Sequence, residues 1–298
     1  MRIDDANMGV YDSILVTGGG GMLAHALAVA LNERGHQAKL LTRADADIRD
    51  EASLGRAFAT YQPTLVLNCA AHTKVDLCEK QQADADAING HAVGSLAKMC
   101  RDSDAMLVHF STDYVFDGKL RRPLRPDDPV GPASAYGKSK LLGERLLQEN
   151  APARWIIART AWLYGPGGPN FPQTMLKVAR AGKPLTVIDD QHGSPTYTFD
   201  LARATLDLID REVKGIWHLT NSDQTSWHDF AAAIFEELGV TAQLTRTTSE
   251  EYKKSKPDSA PRPTYSVLDV SPYEKLMRRP LPNWRDGLRR YRQLVEPR

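Results

Sequence analysis

The feature that most limits what this chain can fold into is a rhythm: short apolar runs alternate with helically spaced apolar residues through more than half of its 298 residues. The runs cover residues 14–17, 39–41, 64–70, 106–111, 155–158, 185–188 and 216–219. Between them Leu23, Leu27 and Leu31, then Leu54 and Phe58, then Ile88, Ala92, Leu96 and Met99, then Leu142 and Leu146 recur at helical spacing. Continuously apolar strands must be buried on both faces, and amphipathic helices between them supply the cover. The pattern predicts an α/β fold with a Rossmann-type, doubly wound parallel sheet. The rhythm fades after about Thr160, where residues 165–172 and 258–263 concentrate Gly, Pro and Asp as loops do. A smaller second region is expected from there. It takes in a helix over 227–238 and a strand-poor tail.

Composition narrows the classes further. Apolar residues make up 42% and charged ones 25%, which excludes disordered, collagen-like and disulfide-scaffold chains. Lys and Arg total 38 against 37 for Asp and Glu, so no net charge draws the chain to nucleic acid or an anionic membrane. An anionic ligand has to be held locally. Three cysteines, Cys69, Cys78 and Cys100, show no paired spacing and fit a reducing compartment. Residues 1–13 carry three aspartates and no apolar leader core, and no stretch reaches the ~18 apolar residues of a membrane span. These features predict a soluble cytoplasmic protein.

The first apolar run leads into Gly18-Gly19-Gly20-Gly21-Met22-Leu23-Ala24, and a helical pattern follows as far as Arg34, with Gly35 as its stop. In this spacing Gly18 permits the tight turn, Gly21 lets the backbone approach a pyrophosphate, and Ala24 lets helix and strand pack closely. The helix N-terminus adds N–H donors and a positive dipole end. Strand before and helix after are the context a dinucleotide site requires. Such a site for NAD expects an acidic residue about 20 positions on; the second strand here ends Leu41-Thr42-Arg43. A guanidinium there can pair with a 2′-phosphate, which points to NADPH and leaves NADH open as a second cofactor.

A second motif supplies acid chemistry. Ala135-Tyr136-Gly137-Lys138-Ser139-Lys140 opens a helix, so Tyr136 and Lys140 share one face. A phenol with an ordinary pKa of about 10 serves as an acid toward a developing alkoxide most effectively when a nearby cation stabilises its anion. The fourth strand ends Ser111-Thr112, and the carboxyl ends of parallel strands face the ligand crevice. Thr112 is then placed to give the same oxygen a second hydrogen bond.

With these residues in view the chain resembles the extended short-chain dehydrogenase/reductases, and within them the dTDP-4-dehydrorhamnose reductase family. The resemblance spans nearly the whole chain. It rests on residues 17–24, 68–76, 111–116, 136–140, 159–164, 170–171, 190–196, 227–229 and 262–263. It implies NAD(P)H-dependent reduction of the C4 ketone of dTDP-4-dehydro-6-deoxy-L-mannose to dTDP-L-rhamnose, with Tyr136 as proton donor, Lys140 orienting the nicotinamide ribose and Thr112 polarising the carbonyl. It further implies a cofactor track along Gly18, Gly21, Met22 and Leu23, with Arg43, Asp47 and Ile48 at the adenosine end and Ala70, Ala71 and Thr73 in the middle. Sugar contacts are implied for Val75, Asp76, Thr112, Asp113, Tyr114, Trp162 and Asn170, with Arg262 for the diphosphate. The expected division is a dinucleotide-binding domain over 1–160 and 193–222, interleaved with a substrate-binding region over 161–192 and 223–298. A nucleotide sugar is the expected partner, and a homodimer is admitted.

Structural roles compete at several positions: core for Trp162, turn formation for Asp113, a surface charge for Arg262, and either reading for Asp76 and Asn170. Met22 and Ala24 stand where family members usually carry Gln and Gly. Ala26 stands where some members carry a magnesium-linked acid, so no metal is expected there, and His72, His192 and His228 lack metal-ligand spacing and are expected to be hydrogen-bonded loop residues rather than ligands. Two other functions fit the same motifs: reduction of a different nucleotide-linked 4-keto-6-deoxy sugar, and a non-catalytic NADP-binding regulatory subunit similar to the methionine adenosyltransferase beta subunit.

Overall fold

The computed structural model describes residues 11–295. The expected absence of a leader over 1–13 and the ends of the two outer segments therefore lie partly outside the described residues. In chain order the elements are β1 (Ile14–Thr17), α1 (Met22–Glu33), β2 (Ala38–Leu41), α2 (Glu51–Tyr61), β3 (Leu65–Asn68), α3 (Val75–Lys80), α4 (Gln82–Asp86), α5 (Ala92–Asp102) and β4 (Met106–Thr112). Then come α6 (Ala135–Glu149), β5 (Trp155–Thr160), β6 (Leu163–Tyr164), α7 (Phe171–Arg180), β7 (Leu185–Ile188), β8 (His192–Gly193), β9 (Thr196–Tyr197), α8 (Thr198–Asp210) and β10 (Gly215–His218). The chain closes with β11 (Thr225–Ser226), α9 (Trp227–Leu238), β12 (Leu244–Thr247), α10 (Ser249–Ser255), α11 (Ser271–Met277) and α12 (Trp284–Val295).

Six strands form one parallel sheet in the order β10-β5-β4-β3-β1-β2. Two apolar cores cover its faces, one containing Val16, Leu27, Leu67, Val108 and Leu206, the other Leu15, Leu54, Val66, Leu96 and Ile157. Residues that alternate along β1 and β3 thus serve opposite layers, as a strand's period of two dictates. The order steps outward from β1 in both directions, and the crevice at that switch point is where ligands of such sheets bind.

One expected strand sits elsewhere. Residues 185–188 pair as β7 with β12 in a separate two-stranded sheet. An apolar run signals burial but not which partner buries it. Two further short pairs, β6 with β9 and β8 with β11, tie residues 163–164 to 196–197 and 192–193 to 225–226. A buried ion pair fixes α6 to the sheet. Arg159 on β5 meets Glu144 at 2.7 Å, and Ser111 donates to the same carboxylate at 2.5 Å. Between α4 and α5, residues Ala87–His91 form a π-helical turn that turns Asn89 inward, where it bonds His72 and the Ser139 hydroxyl. Among the described residues no helix is long and apolar enough to cross a membrane.

Candidate active site

A cleft of about 830 Å³ lies over the carboxyl ends of β1, β3, β4 and β5. One wall is the glycine turn. Gly18 has φ +66°, and a Cβ on it would lie 2.7 Å from the Ala70 nitrogen, so turn geometry and close packing both require glycine. Gly21 caps α1 in extended backbone with no side chain bonded to the helix end and no acidic residue in the first turn. The first-turn N–H groups of a helix have no intrahelical partners. An uncapped, acid-free helix end beside backbone that admits no Cβ fits a pyrophosphate. Arg43 borders this wall; its side chain is 74% exposed and bonds Asp47 at 3.1 Å.

The facing wall is made of side chains. Thr112 is buried at the end of β4, where its hydroxyl donates to Asp113 at 3.0 Å and accepts from the Tyr114 N–H at 3.2 Å. Ser134 caps α6 by accepting from the Gly137 N–H at 3.1 Å, which sets Tyr136 and Lys140 in its first turn and a half. Burial raises the Tyr136 pKa above its ordinary value, opposed by the Thr112 hydrogen bond. The phenol therefore stays protonated at neutral pH. Burial pushes Lys140 down to about 8, against the opposing pull of Glu144 and Cys69. Its ammonium donates to the Phe110 carbonyl at 2.6 Å and lies 3.2 Å from His109 Nε2. In this state Thr112, rather than Lys140, is the hydrogen-bond partner that lowers the phenol's pKa. Asp113 is buried, and burial pushes it up to about 6 against the hydrogen bonds of Ser266 and Thr112.

The cleft brings together Gly18, Gly21, Met22, Leu23, Arg43, Ala70, Ala71, Thr73, Val75, Thr112, Asp113, Tyr114, Tyr136, Lys140, Trp162 and Arg262. Asp47 and Ile48 lie in an adjoining cavity of about 400 Å³ that shares Gly18, Arg43 and Ala70 with it. Two residues expected at the sugar fall outside both linings. Asn170 caps α7, accepting from the Gln173 N–H at 3.0 Å and donating to the Gly165 carbonyl at 2.7 Å. That bond shapes the loop whose Gly167, Gly168 and Pro169 line the cleft. Asp76 holds Arg262 at 2.8 Å and accepts from the Ala260 N–H. His228 is a buried residue of α9 rather than a loop residue, and it bonds Asp229 at 3.0 Å. His228, Asp229 and Asp189 lie close together, but Arg246 forms ion pairs with both carboxylates, which fills the cluster with a cation of the chain's own.

Sequence reasoning missed Thr160 and Trp227. Thr160 lies opposite Thr112 in the β4–β5 register and lines the cleft with an unpartnered buried hydroxyl. Its signal was a hydroxyl closing an apolar run, as at Thr112. Trp227 stacks on Trp162, with ring centroids 3.5 Å apart and planes 9° from parallel. Trp162 holds this place in left-handed backbone, φ +48°.

Residues 12–296 match the family model described as RmlD substrate binding domain. The chain is 45% identical to the spore coat polysaccharide biosynthesis protein SpsK of Bacillus subtilis (strain 168), over 94% of this chain and 96% of that protein. It is 42% identical to a dTDP-4-dehydrorhamnose reductase of Streptomyces griseus, over 92% and 91%. Among solved structures, the dTDP-4-dehydrorhamnose reductase of Bacillus anthracis str. Ames, in complex with NADP, superposes with a TM-score of 0.89 at 31% identity, covering 96% of this chain and 99% of that one. A match of this extent to both the family model and full-length relatives, on a fold whose cleft joins a glycine turn to a tyrosine and a lysine, places the chain in the dTDP-4-dehydrorhamnose reductase family of oxidoreductases.

Proposed function

We propose that the protein reduces the C4 ketone of dTDP-4-dehydro-6-deoxy-L-mannose to give dTDP-L-rhamnose, using NADPH, in the cytoplasm. The observation that carries this reading is the convergence of Thr112, Tyr136 and Lys140 on one cleft that begins at the glycine turn. In this reading Gly18, Gly21, Met22 and Leu23 hold the pyrophosphate, Arg43 takes the 2′-phosphate, Asp47 and Ile48 border the adenosine, and Ala70, Ala71 and Thr73 line the middle of the track. NADPH when bound supplies the hydride. Tyr136 gives its phenolic proton to the carbonyl oxygen as C4 is reduced, and Thr112 hydrogen-bonds the same oxygen. Lys140 holds the ribose and stabilises the phenolate left behind.

The sugar is held by Val75, Asp113, Tyr114 and Trp162, and the diphosphate by Arg262, which Asp76 steadies. The unpartnered Thr160 Oγ1 is free to meet a sugar hydroxyl. Residues up to 160 and 193–222 then form the cofactor domain, and 161–192 and 223–298 the substrate region. The test is loss of reduced-nicotinamide absorbance on adding the dTDP-4-keto sugar, followed by identification of the product. Reduction to dTDP-L-rhamnose is the expected result. A different 6-deoxy sugar reassigns the substrate, and cofactor binding without oxidation shows a binding subunit.

A further inference from the structure

Beneath the cleft lies a row of four buried polar side chains that the reaction does not itself use up: Thr17 on β1, Asn68 on β3, His109 on β4 and Lys140 on α6. Strand register makes them neighbours, with Thr17 opposite Asn68 and Asn68 opposite His109. Thr17 Oγ1 lies 2.6 Å from Asn68 Oδ1, Asn68 Nδ2 lies 3.0 Å from His109 Nδ1, and His109 Nε2 lies 3.2 Å from Lys140 Nζ. At the far end the Ala70 N–H donates to Thr17 Oγ1 at 3.3 Å.

Counting donors shows that the row has two self-consistent states. An ammonium only donates, so a charged Lys140 requires His109 Nε2 to accept. The single imidazole proton then sits on Nδ1, Asn68 turns its oxygen toward it, and the Asn68 nitrogen faces Thr17. An uncharged Lys140 gains a lone pair that can accept, and the three side-chain bonds of the row can then reverse: Nε2–H donates to Nζ, Nδ1 accepts from Asn68 Nδ2, and the Thr17 hydroxyl donates to Asn68 Oδ1. The charged state holds one more proton, taken from water onto Nζ. His109 itself stays neutral, because burial and the lysine hold its pKa well below the usual histidine range. The groups facing Lys140 are Glu144 of its own helix, paired with Arg159, together with Cys69 just past the end of β3 and His109 of β4. The lysine's pKa of about 8 puts the change of state within the range where an enzyme works.

We propose that His109 is a positioning residue whose tautomer ties the charge of Lys140 to the orientation of the Asn68 amide, and through it to Thr17 at the mouth of the glycine turn. The proposal rests on the reading that Lys140 serves the cofactor. It makes cofactor retention and turnover respond together to one proton.

Protein labelled with ¹⁵N in its histidines tests it directly, the His109 signals being assigned by their absence in His109→Gln. The expected result is a proton on Nδ1 below the Lys140 titration and on Nε2 above it, with no such change in Lys140→Met. A single tautomer at all pH values, or a change that survives Lys140→Met, overturns the proposal. In turnover, His109→Leu removes an acceptor from the charged lysine, so the alkaline midpoint falls by about one pH unit, the scale of one hydrogen bond to a charged group. His109→Gln, whose amide can donate or accept, returns it to the wild-type position. An unmoved midpoint in His109→Leu also overturns the proposal. The resonance measurement needs neither substrate nor turnover, so a failed reductase assay and a missing tautomer switch are separate results.

Discussion

One wall of the cleft, the glycine turn and the start of α1, presents backbone; the facing wall, Thr112, Tyr136 and Lys140, presents side chains held in the sheet and the first turns of α6. The difference governs what each wall tolerates. Backbone N–H groups are present whatever the side chain, so Met22 and Ala24 can replace a family's usual residues, whereas an added Cβ at Gly18 has nowhere to go. On the other wall the chemistry resides in individual atoms. Burial displaces the pKa values of Tyr136 and Lys140, so under the proposed function loss of one atom is felt in rate before it is felt in binding.

Four substitutions test that contrast, and the three expected to act come in falling order of effect. Tyr136→Phe should lower turnover about 10²–10⁴-fold, the usual worth of a positioned acid, while calorimetry finds NADPH affinity unchanged. Turnover near wild type would remove the side-chain wall from the chemistry. Gly18→Ala should act in the reverse sense, weakening cofactor binding and costing about 1–3 kcal/mol of stability in denaturant titration, because a Cβ is forced against backbone at positive φ. Met22→Gln in the same turn should bind cofactor like wild type; a marked loss would show that side chains matter on this wall too. Arg43→Ala, at an exposed charge, should narrow the preference for NADPH over NADH by about three- to tenfold, read from the ratio of kcat/KM values.

The same contrast explains what could be read from the sequence. The sheet was legible because its strands are mostly apolar, and the glycine turn because its chemistry is local: β1, the turn and α1 follow one another without a break. The helix at residues 227–238 was legible from its period. Legibility failed where a residue's partner lies far along the chain. His109 reads as a polar interruption of an apolar run, and only the β3–β4 register shows it to be part of a row. For Asn170 and Asp76 the resemblance implied sugar contacts while the residues themselves left a structural role equally open; what the sequence did not show is that one caps a helix and the other holds Arg262. Residues 185–188 have strand composition, but their partner at 244–247 follows more than fifty residues later. The π-helical turn at Ala87–His91 left no mark in the spacing of Ile88, Ala92 and Leu96.

The stacked indoles of Trp162 and Trp227 give the molecule an optical consequence. Both rings line the cleft, while Trp155, Trp217 and Trp284 do not. Two of the chain's five tryptophans therefore border the cleft, and under the proposed function the protein's own ultraviolet emission becomes a gauge of occupancy that needs no attached dye.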